Sequence, residues 1–108
     1  MNRQSVQRRA FERIPVNIRV RFYSYDTAYL GSVTNLSENG MFIRTDRMVF
    51  PFDSKVEIIF RTDKKLLKVP VRVIRITKSE NVFNGIGVEL LDTHREYLEL
   101  VNSLKGAA

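Results

Sequence analysis

The chain contains no cysteine and only one histidine, His94. Without cysteine it can form neither a disulfide framework nor a zinc–thiolate site, and it offers no thiol nucleophile. A single histidine also argues against a metal site, and we expect His94 to be an exposed residue in the first turn of a helix. The lack of cysteine suits a reducing cytoplasm.

The sequence also lacks long apolar runs and catalytic motifs. No run approaches the roughly 20 apolar residues of a membrane span, and MNRQSVQRRAFER at the start has no signal-peptide core. We therefore expect a cytoplasmic protein, and 108 residues suffice for one domain. No nucleophile elbow or phosphate-binding glycine loop is present. We assign no catalytic residues and expect a binding protein rather than an enzyme.

Positive charge is concentrated at the N-terminal end. The net charge is +6, and residues 1 to 21 hold six arginines against the single acid Glu12, which gives this stretch +5. Such an end favours an anionic partner: nucleic acid, a nucleotide, an anionic membrane or an acidic protein surface. A solvated arm without a partner is equally consistent with the charge alone.

Alternating apolar and polar residues predict β-strands through most of the chain. IPVNIRVRFYS, residues 14–24, alternates strictly, with Val20 and Phe22 among its inward positions. Pro70 indicates an edge position or a bulge, and the glycines of GIG at 85–87 indicate a bulge or a close approach. The other strands are predicted at 28–37, 40–45, 55–62, 66–77 and 85–91, with KSENVFNG as a turn before the last.

The C-terminal segment changes to helical spacing. THREYLELVNSLKG opens with Thr93 and Glu96 in capping-box spacing, and its apolar residues recur as on one helix face. Gly106 lies where helices commonly stop. We expect an amphipathic helix at about 93–105, packed on a mainly β fold. The predicted fold is a six-stranded antiparallel β-barrel, since closure removes exposed strand edges.

The N-terminal arm carries residues suited to anionic, planar ligands. Arg9 and Arg13 are four residues apart, and Arg8 adjoins the first of them. A guanidinium group binds phosphate oxygens with two hydrogen bonds, and it can also pair with guanine or stack on a purine. The alternative is a charged leader without a ligand.

A second segment, NLSENG at residues 35–40, combines polar side chains with a glycine. Asn35 can bond the edge of a base, and Ser37 can bond a phosphate or brace the loop. Gly40 either lets the backbone approach a ligand or supplies a positive φ. The alternative is an ordinary turn, in which Asn, Ser and Gly are common.

Taken together, the two segments resemble the signature of the PilZ domain family, receptors for the bacterial second messenger cyclic di-GMP. That signature is RxxxR in an N-terminal arm, followed further along by [D/N]xSxxG. This chain has RAFER at 9–13 and NLSENG at 35–40, and QRR, IPV and GIGVELL are also similar to the family. The resemblance implies a flexible basic arm at 1–13 and a PilZ β-barrel domain with its C-terminal helix at 14–108.

The resemblance also implies which residues bind cyclic di-GMP: Arg8, Arg9, Arg13, Asn35, Ser37 and Gly40. The two RxxxR arginines would hold guanine and phosphate groups, and Arg8 would add a contact. Asn35 would read a guanine edge, where many members have aspartate. One amide oxygen accepts where a carboxylate takes two hydrogen bonds, so we expect weaker affinity or discrimination. No metal or other cofactor is implied.

The implied mechanism is an arm that orders over the ligand and changes the surface offered to a downstream effector protein. One ligand or a stacked pair, and a monomer or a dimer, are both consistent with the sequence. Two alternatives stand beside this reading. One is a degenerate PilZ-type adaptor that binds protein but no nucleotide. The other is a nucleic-acid-binding barrel, which would need exposed aromatic residues on one face, and the inward position of Phe22 disfavours it.

Overall fold

A computed structural model describes residues 12–24, 27–45, 55–62, 65–92 and 94–107 of the 108-residue chain. The six strands close into an antiparallel barrel in the order β1-β2-β3-β6-β5-β4, which confirms the predicted fold. The elements are β1 Ile14–Ser24, β2 Thr27–Ser37, β3 Gly40–Thr45, β4 Lys55–Arg61, β5 Leu66–Ser79, β6 Val82–Leu90 and the helix α1 Arg95–Ala107.

The inward residues of the alternating strands fill the barrel. Phe22 is fully buried and stacks on Tyr29, with ring centroids 5.5 Å apart. The helix α1 adds Tyr97 and Val101 to the same core, and the Tyr97 ring lies 6.2 Å from that of Phe60. The remaining buried apolar residues are Val20, Val33, Leu36, Met41, Ile43, Val56, Ile58, Leu67, Val69, Val71, Val73, Ile86 and Val88.

The hairpin between β5 and β6 is tighter than its sequence indicates. KSENVFNG was expected to be a turn, but β6 already begins at Val82, which pairs with Ser79. Only Glu80 and Asn81 lie between the strands, and both have positive φ, 51° and 67°. These are the backbone angles of a type I′ turn, whose twist matches that of the flanking strands. The prediction was wrong because polar residues here continue both strands.

Pro70 does not mark an edge strand or a bulge, since β5 pairs with both β4 and β6 and its register irregularities lie at Val73/Arg75 and Thr77/Lys78. The Pro70 carbonyl oxygen accepts a hydrogen bond from the amide of Leu91, 3.2 Å away and one residue beyond the end of β6. The N–H and C=O groups of one strand residue point to the same neighbouring strand. The missing N–H of Pro70 therefore faces the C-terminal end of β6. Proline is tolerated where the ladder stops.

The helix begins at Arg95, and His94 caps it rather than lying in its first turn. The Nδ1 atom of His94 accepts from the Tyr97 amide at 3.2 Å, so the ring is protonated on Nε2, which donates to the carbonyl of Lys68 at 2.9 Å. Glu96 pairs with Lys65. The predicted capping box would need Thr93, which lies outside the described residues. In the described part of the chain, no helix has the length and apolar character needed to cross a membrane.

Candidate ligand-binding site

The two signature segments meet where the chain enters the barrel. Arg13 donates a hydrogen bond from Nη1 to Oδ1 of Asn35 at 2.5 Å, across 22 positions of sequence. The register explains the contact, because Pro15 at the start of β1 pairs with Asn35 near the end of β2. Arg13 is exposed and Asn35 is half-buried. Arg8 and Arg9, the other predicted arginines, lie outside the described residues.

A β-bulge turns Asn35 outward. Val33 pairs with Ile43 and Asn35 pairs with Phe42, so Thr34 is an extra residue of β2 without a pairing partner on β3. Strict alternation from the buried Val33 would place Asn35 inside the barrel. With the extra residue, Leu36 is fully buried instead and Asn35 faces the surface. Bulges commonly re-aim side chains at functional sites, and this one presents the amide to Arg13.

The rest of NLSENG is not an open loop but the end of a tight hairpin. Ser37 pairs with Gly40, so only Glu38 and Asn39 lie outside the strands. Ser37 is 1% exposed, and its Oγ donates to Oδ1 of Asn39 at 2.8 Å while lying 3.5 Å from the Gly40 carbonyl oxygen. Of the two roles expected for Ser37, its contacts in this structure are those of bracing the turn.

Close packing within the barrel requires a glycine at position 40. A Cβ atom at this position would lie 2.4 Å from the carbonyl oxygen of Val88 on β6, a separation that real side chains do not adopt. No glycine in the described residues has positive φ. The expectation of a positive φ was therefore wrong, and the close approach is to strand β6. Gly40 lets β3 and β6 pack at the base of the hairpin.

An aromatic–cationic pair that was not predicted from the sequence lies beside Asn35. Register places Phe42 next to Asn35, Gly87 next to Phe42, and Arg75 next to Gly87. The Phe42 ring lies across the glycines of β6, since a Cβ at Gly85 would be 2.5 Å from its Cζ. The Arg75 guanidinium lies 5.8 Å from the ring centroid, within cation–π range. The close approach predicted at the glycines of GIG is therefore made by the Phe42 side chain. The sequence signal that could have predicted it is the alternation along β3, which places Phe42 on the outer face.

The helix contacts the hairpin through Tyr97, whose side chain lies in the core. The Oη atom of Tyr97 lies 2.7 Å from the Ser37 carbonyl oxygen and 3.1 Å from that of Gly40. Burial raises the pKa of the Tyr97 phenol well above its ordinary value, and the positive charge of Arg13 opposes this shift. The phenol is therefore a neutral donor. The helical spacing of the apolar residues places Tyr97 on the apolar face of α1 but does not predict this contact.

Other chemistries find little support in the described residues. No group of three or more His, Asp or Glu residues there is placed to hold a metal ion. Among the aromatic residues of β1 and β2, which the nucleic-acid alternative would need for base stacking, Phe22 is buried, Tyr29 is half-buried against it and Tyr23 is 43% exposed. Tyr25 lies outside the described residues. The described aromatic residues of this region form no stacking platform on the surface.

Solved structures with the same fold include several PilZ domains. The PilZ domain of Escherichia coli YcgR with c-di-GMP superposes with a TM-score of 0.75 at 14% identity and covers 94% of each chain. The PilZ domain of CeSA from a cellulose-synthesising bacterium gives 0.61 at 24% identity, covering 89% of this chain and 97% of its own. Bacillus subtilis MotI/DgrA, inhibitor of motility, gives 0.74 at 14% identity over 99% of this chain.

The chain spans about half of MotI/DgrA, 51% of its length. At these identities the structural likeness establishes the fold alone. No curated protein sequence matches the chain. The model of one protein family, the PilZ domain, matches residues 7–105. Because that match covers nearly the whole sequence and includes both signature segments, the chain belongs to the PilZ domain family.

Proposed function

We propose that this chain is a receptor for cyclic di-GMP and binds it with the RxxxR arm and the NxSxxG hairpin. The observation that carries the proposal is the hydrogen bond between Arg13 and Asn35, which joins the two segments at one exposed point of the barrel. Two similar structures, the YcgR PilZ domain and the longer YcgR chain, contain c-di-GMP. Family membership supports the same ligand here.

The chemistry of the site suits a ligand with two phosphates and two guanines. Arg13 is exposed and makes no ion pair with an acid among the described residues. Its guanidinium has five N–H donors, of which Asn35 accepts one. On binding, Arg13 shifts toward ligand phosphate or guanine and frees the Asn35 amide for a guanine edge. A cationic, aromatic surface is added by Phe42, one strand from Asn35, and by Arg75, three strands from it.

Signal relay follows from closure of the arm. Arg8 and Arg9, in the segment outside the described residues, close over the bound ligand together with Arg13. Ordering the arm costs conformational entropy, which the charge-assisted contacts offset. The closed arm changes the surface at the β1 end of the barrel, and a downstream effector protein recognises that change. Arm amides should gain protection from hydrogen exchange when ligand is added, and equal protection in both states would contradict this relay.

Calorimetric titration of cyclic di-GMP into the protein, with GTP as the control ligand, tests the function. We expect saturable binding that GTP does not reproduce. Arg13→Ala should weaken binding by about tenfold or more, because a lost charge-assisted hydrogen bond is worth about 1.5–3 kcal/mol. Arg61→Ala is the matched control, since Arg61 is an exposed arginine at the end of β4, and its affinity should equal that of the wild type.

The outcomes separate the alternatives. No heat of binding from folded protein at high micromolar ligand would overturn the proposal and favour a PilZ-type adaptor that binds only protein. Equal weakening by Arg61→Ala and Arg13→Ala would point to a nonspecific electrostatic effect and remove Arg13 from the site. A steep salt dependence with long single-stranded nucleic acid, exceeding that for the cyclic dinucleotide, would favour the nucleic-acid alternative.

A further inference from the structure

The binding hairpin is held from behind by the C-terminal helix, and this contact has no counterpart in the signature motifs. We propose that Tyr97 is a positioning residue for the ligand site: its hydroxyl holds the Ser37–Gly40 turn in its binding geometry and couples α1 to ligand occupancy. The proposal rests on the proposed function, because it concerns the affinity of that same site.

The phenol bridges both sides of the turn. Ser37 ends β2 and Gly40 begins β3, and their carbonyl oxygens lie 2.7 Å and 3.1 Å from Oη of Tyr97. Both residues are buried, and buried carbonyl groups need a hydrogen-bond donor. One donor that serves two carbonyls across a two-residue turn fixes the separation of the strand ends. Asn35, two positions before Ser37, is held by the same strand end.

The ring of Tyr97 anchors the hydroxyl at a fixed place. Tyr97 is 0% exposed, and its ring packs 6.2 Å from that of Phe60. A phenylalanine would retain this packing and remove only the hydroxyl. The donor is also constant near neutral pH, since burial raises the pKa of the phenol. Replacing Tyr97 with Phe therefore isolates the bridge from the packing of the core.

The helix reaches the turn at a second point. Lys105 forms an ion pair with Glu38 at 3.0 Å, with both side chains about one-third exposed. Tyr97, Val101 and Lys105 are spaced four residues apart and lie on one side of α1. The side that enters the core thus also contacts the turn. An exposed pair of this kind contributes little energy, so we assign the coupling to Tyr97.

Coupling of this kind is reciprocal. If the ligand binds better when the turn is held by Tyr97, ligand binding must stabilise the docking of α1 by the same factor. The helix then provides a second route for the signal, independent of the arm.

The test compares Tyr97→Phe with Tyr23→Phe, the same change at a partly exposed tyrosine on β1. Both variants are titrated with cyclic di-GMP at a temperature where circular dichroism shows them fully folded. We expect the dissociation constant of Tyr97→Phe to rise about tenfold, the effect of one lost hydrogen bond, and that of Tyr23→Phe to stay within twofold. Hydrogen exchange of the 37–40 amides should accelerate in Tyr97→Phe alone, already without ligand.

Double-variant titration separates positioning from a general loss of stability. If Tyr97 acts through the hairpin, its effect should shrink when Asn35→Ala has already removed the hairpin's ligand contact, so the two losses overlap. Losses that simply multiply would show that Tyr97 acts elsewhere. In wild-type protein, ligand should also slow the exchange of the α1 amides, and Tyr97→Phe should abolish that protection.

Failure of the positioning role and failure of the proposed function would give different results. Wild-type affinity and unchanged 37–40 exchange in Tyr97→Phe would overturn the positioning role while leaving the receptor intact. Absence of binding by wild-type protein would overturn the proposed function and the ligand coupling with it. In that case the exchange of the 37–40 amides in ligand-free Tyr97→Phe would still decide whether the hydroxyl holds the turn.

Discussion

The same three residues, Ser-Glu-Asn, form two hairpins of the barrel, at 37–39 and at 79–81, and each has two residues outside its strands. In each hairpin the serine is the last paired residue of its strand and Glu-Asn makes the turn. The second turn has positive φ at both central residues, and the first has it at neither. The second is exposed throughout, whereas the first has its serine buried and is contacted by α1 and β6.

The difference shows that tertiary contacts, and not the turn residues, determine the conformation of the hairpin at 37–40. At 79–81 the turn is exposed, and it adopts the type I′ form that matches the twist of the flanking strands. At 37–39 the carbonyls of both strand ends bond Tyr97, and the Asn39 carbonyl accepts from the Leu90 amide at 2.9 Å. These contacts hold the turn in a form that its sequence alone does not select.

The residue that follows each tripeptide offers the strongest test of this comparison. Gly40→Val gives the first hairpin the Ser-Glu-Asn-Val sequence of the second and should destabilise the protein by about 3 kcal/mol, since its Cβ would meet the Val88 carbonyl at 2.4 Å. Val82→Gly, the reverse exchange at a position that is 46% exposed, should cost only about 0.5–1 kcal/mol. Urea unfolding measures both, and equal costs would contradict the account of Gly40.

The loss of stability at alkaline pH tests the contact of Tyr97 with the first hairpin, a contact that the second hairpin lacks. Burial raises the pKa of Tyr97 above its ordinary 10.0, so above pH 10 the unfolded chain releases this proton while the folded chain keeps it. The stability due to Tyr97 is complete below pH 10 and is lost as the pH rises. Wild type should lose up to about 1.4 kcal/mol per pH unit more than Tyr97→Phe between pH 10 and 11.5. Parallel curves from urea unfolding would show that the phenol is not buried.

The fold could be predicted from the sequence because the alternation of apolar and polar residues is a local pattern, and it recurs along the strands of a barrel. β1 and β3 were predicted with their observed ends, and the other strand ends fell within two residues of the observed ones except the start of β6, which was placed three residues late. The outward direction of Asn35 was not accessible, since it depends on one extra residue, Thr34, whose pairing is set by β1 and β3 together. The role of Tyr97 was missed for a similar reason: helical spacing locates the ring in the core but says nothing of the hydroxyl's partners 60 positions away.

The smallest expected effect is a change in stability that has opposite signs when the same Glu→Gly substitution is made in the two turns. Glu80 has a φ of 51°, a left-handed conformation that is costly for a residue with a Cβ, so Glu80→Gly should stabilise the protein by about 0.5 kcal/mol. Glu38 has no positive φ and pairs with Lys105, so Glu38→Gly should destabilise by a similar amount through lost backbone restriction and a lost ion pair.

Thermal unfolding of the two glycine variants, compared at one pH and protein concentration, measures this difference. A rise for Glu80→Gly with a fall for Glu38→Gly is the expected result. Equal shifts would mean that the two turns share one backbone conformation in solution, and the contacts of α1 with the first hairpin would then not determine its form. Because the tripeptide is the same in both places, the composition of the turn cannot account for opposite signs. Only the surroundings of each turn differ, and they include Tyr97 and Lys105 at the first.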